Sequence, residues 1–227
     1  MLLKSWGRFM RLNLMARYPT AARGSFLKRR EVLTDDEVNI SKEFGREYFD
    51  GDRKFGLGGY HYDPKFFTPV VEDFIKYYGI QSGDRILDIG CAKGFMLYDF
   101  TRLVPGISVS GIDVSKYCME QAISPMKPFI VEGSCDELPY PDNSFDFVFS
   151  IATIHNLDER GIEKSLREIV RVTKKGAFIK VNGYSNDEER ERINGWNIVA
   201  SKPLAVEKWI DLFAKTGYQY DFDFFVP

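Results

Sequence analysis

From Pro64 onward the apolar positions alternate between two rhythms. In "PKFFTPVVEDFIKYYGI" they recur every three or four residues, which predicts a helix that opens on the proline and stops at Gly79. "DRILDIG" instead runs its apolar residues together over too short a span for a helix, and predicts a buried strand. The same exchange then repeats. Residues 94–103 predict a helix, "ISVSGID" a second strand, and Ser115 to about Ala122 a helix. "PFIVEG" and "FDFVFSIA" predict the third and fourth strands, residues 159–172 a helix, and "GAFIKVNGY" the fifth strand. Beyond Tyr184, the charged "SNDEERER" predicts a helix or lid, and "WNIVAS" an edge strand. "LAVEKWIDLFAKTG" follows as a helix and "YQYDFDFF" as a closing strand. Strands alternating with helices of this length imply βαβ units and a mostly parallel, doubly wound sheet with helices on both faces.

The chain before Pro64 has a different character. "LLKSWGRFMRLNL" places Leu2, Leu3, Trp6, Phe9, Met10 and Leu14 on one helical arc and Lys4, Arg8 and Arg11 opposite. This basic amphipathic helix is expected to pack on its own domain or a partner subunit. Docking of residues 2–14 on an anionic membrane surface is the alternative. Residues 19–36 read as a linker, and "DGDRKFGLGGYHYDP" must form a loop. The expected division is an N-terminal extension and covering segment over 1–63, followed by the main domain over 64–227.

Charge sharpens that division. The 227 residues carry a net charge of −2, but eight Lys and Arg fall in the first 30 residues, with no acid before Glu31. The remainder holds 23 basic against 33 acidic residues, so a basic head precedes an acidic body. An acidic body argues against a polyanionic partner. Hydrophobic residues make up 44% of the chain, enough for a core. Three cysteines without a CxxC or Cys/His pairing predict reduced thiols, a cytoplasmic setting and no metal site. No apolar run approaches the roughly 18–20 residues of a membrane span.

The chemistry begins at "RILDIGCAKGFMLYDF". A strand ending near Asp88, a loop with Gly90 and Gly94, and a helix opening near Phe95 place bare backbone at the carboxyl end of a parallel strand. Ligands of such sheets bind there. Asp113 ends the next strand, 23 residues beyond Gly90, where a carboxylate can accept hydrogen bonds from both hydroxyls of a ribose. A cofactor containing adenosine fits this pair. "GCAKG" lacks the full G-x-G-x-x-G of a pyrophosphate site, which favours a cofactor without phosphate.

"ILDIGCAKG", "GIDVSKYCMEQA", "VEGSCDELPYPDNSFDFVFSIATIHNL" and "SLREIVRVTKKGAFIKV" together resemble, in order and spacing, the class I S-adenosylmethionine-dependent methyltransferases. The resemblance covers residues 84–182, and the tail is similar to the terminal helix and strand of bacterial members. It implies a Rossmann-like, seven-stranded-type fold with S-adenosylmethionine as cofactor and S-adenosylhomocysteine as product. Asp88, Gly90 and Gly94 would then surround the amino-acid end of the cofactor, and Asp113 would bind the ribose. Cys91, Val114, Cys135 and Ser150 are expected beside it. Two positions depart from the pattern. Ala92 stands where a third glycine is common, and Ser134 stands where many relatives have the aspartate that meets the adenine amino group. Ser134 can accept that bond, or Asp136 can substitute.

Both histidines map near the expected cleft. His155 follows strand four, and His61 lies in the covering segment. Each is a candidate general base for an oxygen acceptor. Tyr60, Tyr62, Asn182 and Tyr184 are candidate substrate contacts. The expected reaction is methyl transfer to a small molecule, for example an oxygen of a sugar or secondary metabolite. "SIATIHNL" is similar to a stretch of the tRNA wobble-uridine methyltransferases, which makes RNA the alternative acceptor. A cofactor-binding module without catalysis is the third reading.

Overall fold

The computed structural model describes residues 10–19, 28–200 and 202–227. Its sheet has six strands: β1 (Arg85–Ile89), β2 (Ser108–Asp113), β3 (Ile130–Glu132), β4 (Phe145–Ile151), β5 (Thr173–Asn182) and β6 (Asp221–Phe225). They lie in the order β3-β2-β1-β4-β5-β6, and every pairing is parallel. The order reverses between β1 and β4, so a crevice opens above their carboxyl ends.

Two-residue periodicity sorts the strand side chains into two cores. On one face Ile86, Phe147, Phe149 and Phe178 meet Phe67, Val70, Val71 and Phe74 of α3 (Pro64–Tyr78), with Leu97 and Phe100 of α4 (Phe95–Leu103). Phe74 stacks edge-on against Phe147, Phe149 and Phe178 at 5.8, 5.8 and 5.2 Å. On the other face Leu87, Ile89, Val148, Ala177, Ile179 and Val181 meet α6 (Glu159–Val172) and α8 (Val206–Thr216). Strands buried on both faces read as unbroken apolar runs, which is why these segments stand out in the sequence.

Helix ends carry the expected signals. Asp63 caps α3 ahead of Pro64, and Gly79 ends it in the left-handed region with φ 65°. Ser115 caps the short helix Lys116–Glu120, and Asp158 caps α6.

Three segments depart from expectation. Residues 10–12 are extended: Arg11 bridges Phe222 in parallel, Leu12 N–H donates to Phe222 at 2.8 Å, and Phe222 N–H donates to Met10 at 3.1 Å. The exposed edge of β6 offers unpaired backbone groups, and satisfying them outweighs helical periodicity in this stretch. The remainder of the expected amphipathic helix, residues 2–9, lies outside the described residues. Within the expected linker, Thr34 and Glu37 form a capping box that opens a helix over Asp35–Lys42. In place of the expected edge strand over "WNIVAS", Trp196 ends the helix Asp187–Trp196 and residues 197–200 bend, with Asn197 Oδ1 accepting from the Val199 and Ala200 N–H groups. Ile198 and Val199 then bury against Leu33 and Val38.

Candidate functional site: a cofactor cleft at the strand ends

β1 leads into Gly90, whose φ is +80°. A Cβ at Gly90 would lie 2.0 Å from Thr153 Oγ1, so only glycine fits here. The Gly90 and Cys91 N–H groups both donate to Ile112, at 2.8 and 3.2 Å, and Ala92 N–H donates to Asp113 Oδ2 at 2.8 Å. The loop therefore spends these donors on its own sheet. Phosphate-binding loops keep theirs open, so a phosphate-free cofactor suits this one. Ala92 takes a φ of 47°, the left-handed conformation that the missing third glycine would adopt more easily.

The two strand-end acids differ in their bonding. Asp113 Oδ1 accepts from Ser115 N–H at 2.9 Å while Oδ2 holds Ala92, which fixes the carboxylate and leaves one lone pair on each oxygen. Asp88 is buried in the cleft wall, and its side chain makes no hydrogen bond among the described residues. Burial, then the charge of Asp113, pushes the Asp88 carboxyl well above its ordinary range. Burial likewise raises Asp113, against the pull of its backbone donors. A buried acid lacking a donor suits the amino group of a ligand, and a fixed one with spare lone pairs suits a diol.

The cleft is about 1020 Å³, at the top of the roughly 300–1,000 Å³ range of ligand pockets. Residues 44–61 cover it. Lys93, buried in the glycine loop, reaches back to this cover. Its Nζ donates to both Asp50 oxygens at 2.8 and 2.6 Å and to the Tyr60 carbonyl at 2.7 Å. Tyr117 Oη donates to Asp50 Oδ2 at 2.6 Å, and Ser115 Oγ to the Phe44 carbonyl at 2.5 Å. The Tyr60 ring packs 4.9 Å from Phe95.

Of the residues expected from sequence, Asp88, Gly90, Cys91, Asp113, Val114, Ser134, Cys135, Tyr60 and His61 line this one cleft. Ser134 Oγ donates to Asp136 Oδ1, so the two work as a pair in which Asp136, outside the lining, orients the hydroxyl of the cleft-lining Ser134. Cys91 and Cys135 are buried, and burial raises both thiols, so they act as small apolar wall groups. Gly94 shapes the loop from behind: its φ is +76°, and a Cβ would lie 2.8 Å from Ile130.

The remaining candidates lie outside the lining. Ser150 is buried, with its hydroxyl donating to the Ile89 carbonyl at 3.0 Å. Tyr62 donates to Asp99 at 2.5 Å. Asn182 is consumed by the fold: its Nδ2 donates to Phe225, its Oδ1 accepts from Asn197, and its carbonyl accepts from Trp209. Tyr184 bridges Ala205 through its backbone. His155 is buried behind the cleft, where its Nδ1 accepts from the Asn182 N–H at 3.2 Å. Burial pushes its pKa down to about 3, so the ring stays neutral. His61 is exposed in the cleft, and its Nδ1 lies 2.9 Å from the Gly59 carbonyl. A carbonyl only accepts, so Nδ1 is the donor here, and in the neutral ring Nε2 is the nitrogen with the lone pair.

Sequence reasoning missed Lys93, Asp50 and Arg29. Lys93 sits inside a quoted motif, but its partner lies 43 positions away. Among the described residues no cluster of three or more His, Cys, Asp or Glu side chains is placed to hold a metal ion, and no helix is long and apolar enough to cross a membrane.

This strand order, with a glycine loop after β1 and an acid at the end of β2, defines a Rossmann-like domain. Its relatives narrow the class. Residues 87–181 match the methyltransferase-domain family model, so the chain carries a class I S-adenosylmethionine-dependent methyltransferase domain. It is 35% identical over 112 residues to the demethylmenaquinone methyltransferase of Symbiobacterium thermophilum, covering 46% of this chain and 44% of that one. It is 34% identical to the cycloartenol-C-24-methyltransferase of Arabidopsis thaliana, over 66% of this chain and 47% of the relative. Similarity to the tRNA (carboxymethyluridine(34)-5-O)-methyltransferase of the same plant is 28%, over 63% and 33%. The chain thus spans less than half the length of these relatives. Among solved structures, the YcgJ protein of Bacillus subtilis superposes with a TM-score of 0.54 at 22% identity, over 64% of this chain and 66% of that one, a likeness of fold.

Proposed function

We propose that the protein is a methyltransferase that moves the methyl group of S-adenosylmethionine to a small-molecule acceptor. The observation that carries this reading is the single covered cleft, in which the donorless Asp88, the fixed Asp113 and Ser134 lie along the ends of β1, β2 and the loop after β3. The same cleft continues past Ala152 after β4, Lys180 on β5 and Phe225 on β6. Cofactor and acceptor thus have adjoining places over the two halves of the sheet.

The residues present fit the cofactor. Asp88 accepts from its amino group, Asp113 from the ribose hydroxyls and Ser134 from the adenine amino group. When bound, the sulfonium supplies an already activated methyl group for in-line displacement. The chain's work is to align the acceptor behind that carbon and exclude water, and orientation of this kind supplies much of the rate. The cover tied down by Lys93 and Asp50 forms one wall of the cleft. For an oxygen acceptor, His61 Nε2 takes the hydroxyl proton. His155, neutral and turned to the Asn182 backbone, orders the β4 and β5 ends.

A labelled-methyl transfer screen over metabolite, sugar and tRNA pools tests the reading. Label in a small molecule supports it, and label only in RNA transfers support to a tRNA acceptor. Similarity to the plant tRNA methyltransferase favours that second reading, and the acidic body of the chain opposes it.

A further inference from the structure

Arg29 enters the cleft from a short 3-10 turn, Arg29–Val32, held by neutral groups only. Nε donates to the Trp196 carbonyl at 2.7 Å, and Nη1 to Gly56 at 2.8 Å and Arg53 at 3.4 Å. The guanidinium carbon lies 5.2 Å from the centre of the Trp196 ring. These partners fix the plane of the fork between the cover and the segment after β5. Among the described residues Nη2 makes no hydrogen bond and no carboxylate pairs with the group. Burial works against its charge, Tyr48 partly offsets this and the neighbouring Arg53 adds to it, so its pKa is lowered.

A half-buried guanidinium without a counter-ion is costly, and proteins keep one chiefly where a ligand brings the missing charge. The cleft's other charges agree. Its acidic lining side chains are Asp88 and Asp113, both at the cofactor end. Arg53 lies beside Arg29, and Lys180 faces the same cleft from β5 with Asp223 as its partner. Trp196, against which Arg29 is braced, belongs to the β5 side, over which the acceptor half of the cleft lies.

We infer that the methyl acceptor is a small molecule bearing an oxyanion (carboxylate, phosphate or sulfate) that Arg29 receives through Nη2. This rests on the methyltransferase reading and adds the chemical class of the substrate. A polynucleotide is the less suitable anion, because Arg29 sits half-buried in the cleft wall and not along an exposed basic track.

The test uses the full chain saturated with S-adenosylhomocysteine, titrated calorimetrically with 3-phenylpropanoate, phenyl phosphate and the neutral 3-phenylpropanamide. The anions are expected to bind and the amide to bind about tenfold more weakly or not at all, the value of one charge-assisted bond. Arg29→Gln is expected to remove that preference while leaving affinity for S-adenosylhomocysteine unchanged. Equal binding of acid and amide, or no binding of either anion, overturns the inference without need of a variant that might misfold. If Arg29→Gln instead weakens S-adenosylhomocysteine, the oxyanion is the cofactor's own carboxylate and the inference fails. Arg29-dependent capture of tRNA also overturns it. The initial titration with S-adenosylhomocysteine alone reads the methyltransferase proposal separately, so the two can fail independently.

Discussion

Lys93 Nζ lies 2.8 and 2.6 Å from the two oxygens of Asp50, so one ion pair joins the glycine loop to the segment that covers it. Lys93 is buried, Asp50 is only partly so, and Tyr117 adds a second donor to the same carboxylate. Lys93→Met leaves Asp50 without its cation and loosens the cover. Stability is expected to fall by about 1–3 kcal/mol, below the cost for a fully buried pair because Asp50 retains some water. S-adenosylhomocysteine should leave about tenfold faster in stopped-flow displacement. An unchanged dissociation rate would show that the cover does not gate the cleft.

Asp88 should trade stability for binding. Burial and the charge of Asp113 raise its folded pKa, so above that pKa the ionised carboxylate destabilises the fold. Asp88→Asn removes this penalty and is expected to stabilise the ligand-free protein by about 1 kcal/mol. The same change weakens S-adenosylhomocysteine, which loses a charge-assisted acceptor. Thermal melts with and without ligand read both effects, and a destabilised variant would mean that Asp88 has a bonding role in the fold.

The two histidines should separate cleanly. His155 has a folded pKa of about 3 against an ordinary 6.5, so the unfolded chain binds its proton first as pH falls. Its contribution to stability is whole above pH 6.5 and declines by about 1.4 kcal/mol per unit between 6.5 and 3. His155→Gln should flatten that part of the urea-melt pH profile. For an oxygen acceptor, His61→Gln should slow methyl transfer by about 10²-fold or more. Equal activity in His61→Gln and the parent would remove His61 as the base.

Backbone conformation gives a paired prediction. Gly90→Ala drives a Cβ into Thr153 at a φ of +80° and should cost several kcal/mol as well as cofactor binding. Ala92→Gly, at φ 47°, relieves a left-handed alanine at the expense of a more flexible unfolded chain, so stability should change by less than about 1 kcal/mol. Urea unfolding of both variants measures the contrast.

Legibility followed the range of the forces involved. β1, β4 and β5 are buried on both faces, so their apolar runs carry the sheet in the sequence itself. Caps such as Asp63–Pro64 and Asp158 mark helix starts within a few residues. Residues 10–12 misled because their partner is Phe222, more than two hundred positions away, and an edge pairing overrides local periodicity. In the site, Asp88, Gly90 and Asp113 announce themselves by position at strand ends. Lys93, Asp50 and Arg29 do not, since each is defined by a partner from a distant segment. His155 looked like a cleft residue because it follows β4, yet the turn there swings its ring beneath the Asn182 backbone.

Calorimetric titration of the full chain with S-adenosylhomocysteine, alongside Asp113→Asn, tests the cofactor site most directly. One molecule should bind per chain, and Asp113→Asn should weaken it by about 3 kcal/mol, roughly a hundredfold. Folded protein that binds neither S-adenosylhomocysteine nor S-adenosylmethionine, or an Asp113→Asn variant with undiminished affinity, would contradict the assignment of this cleft.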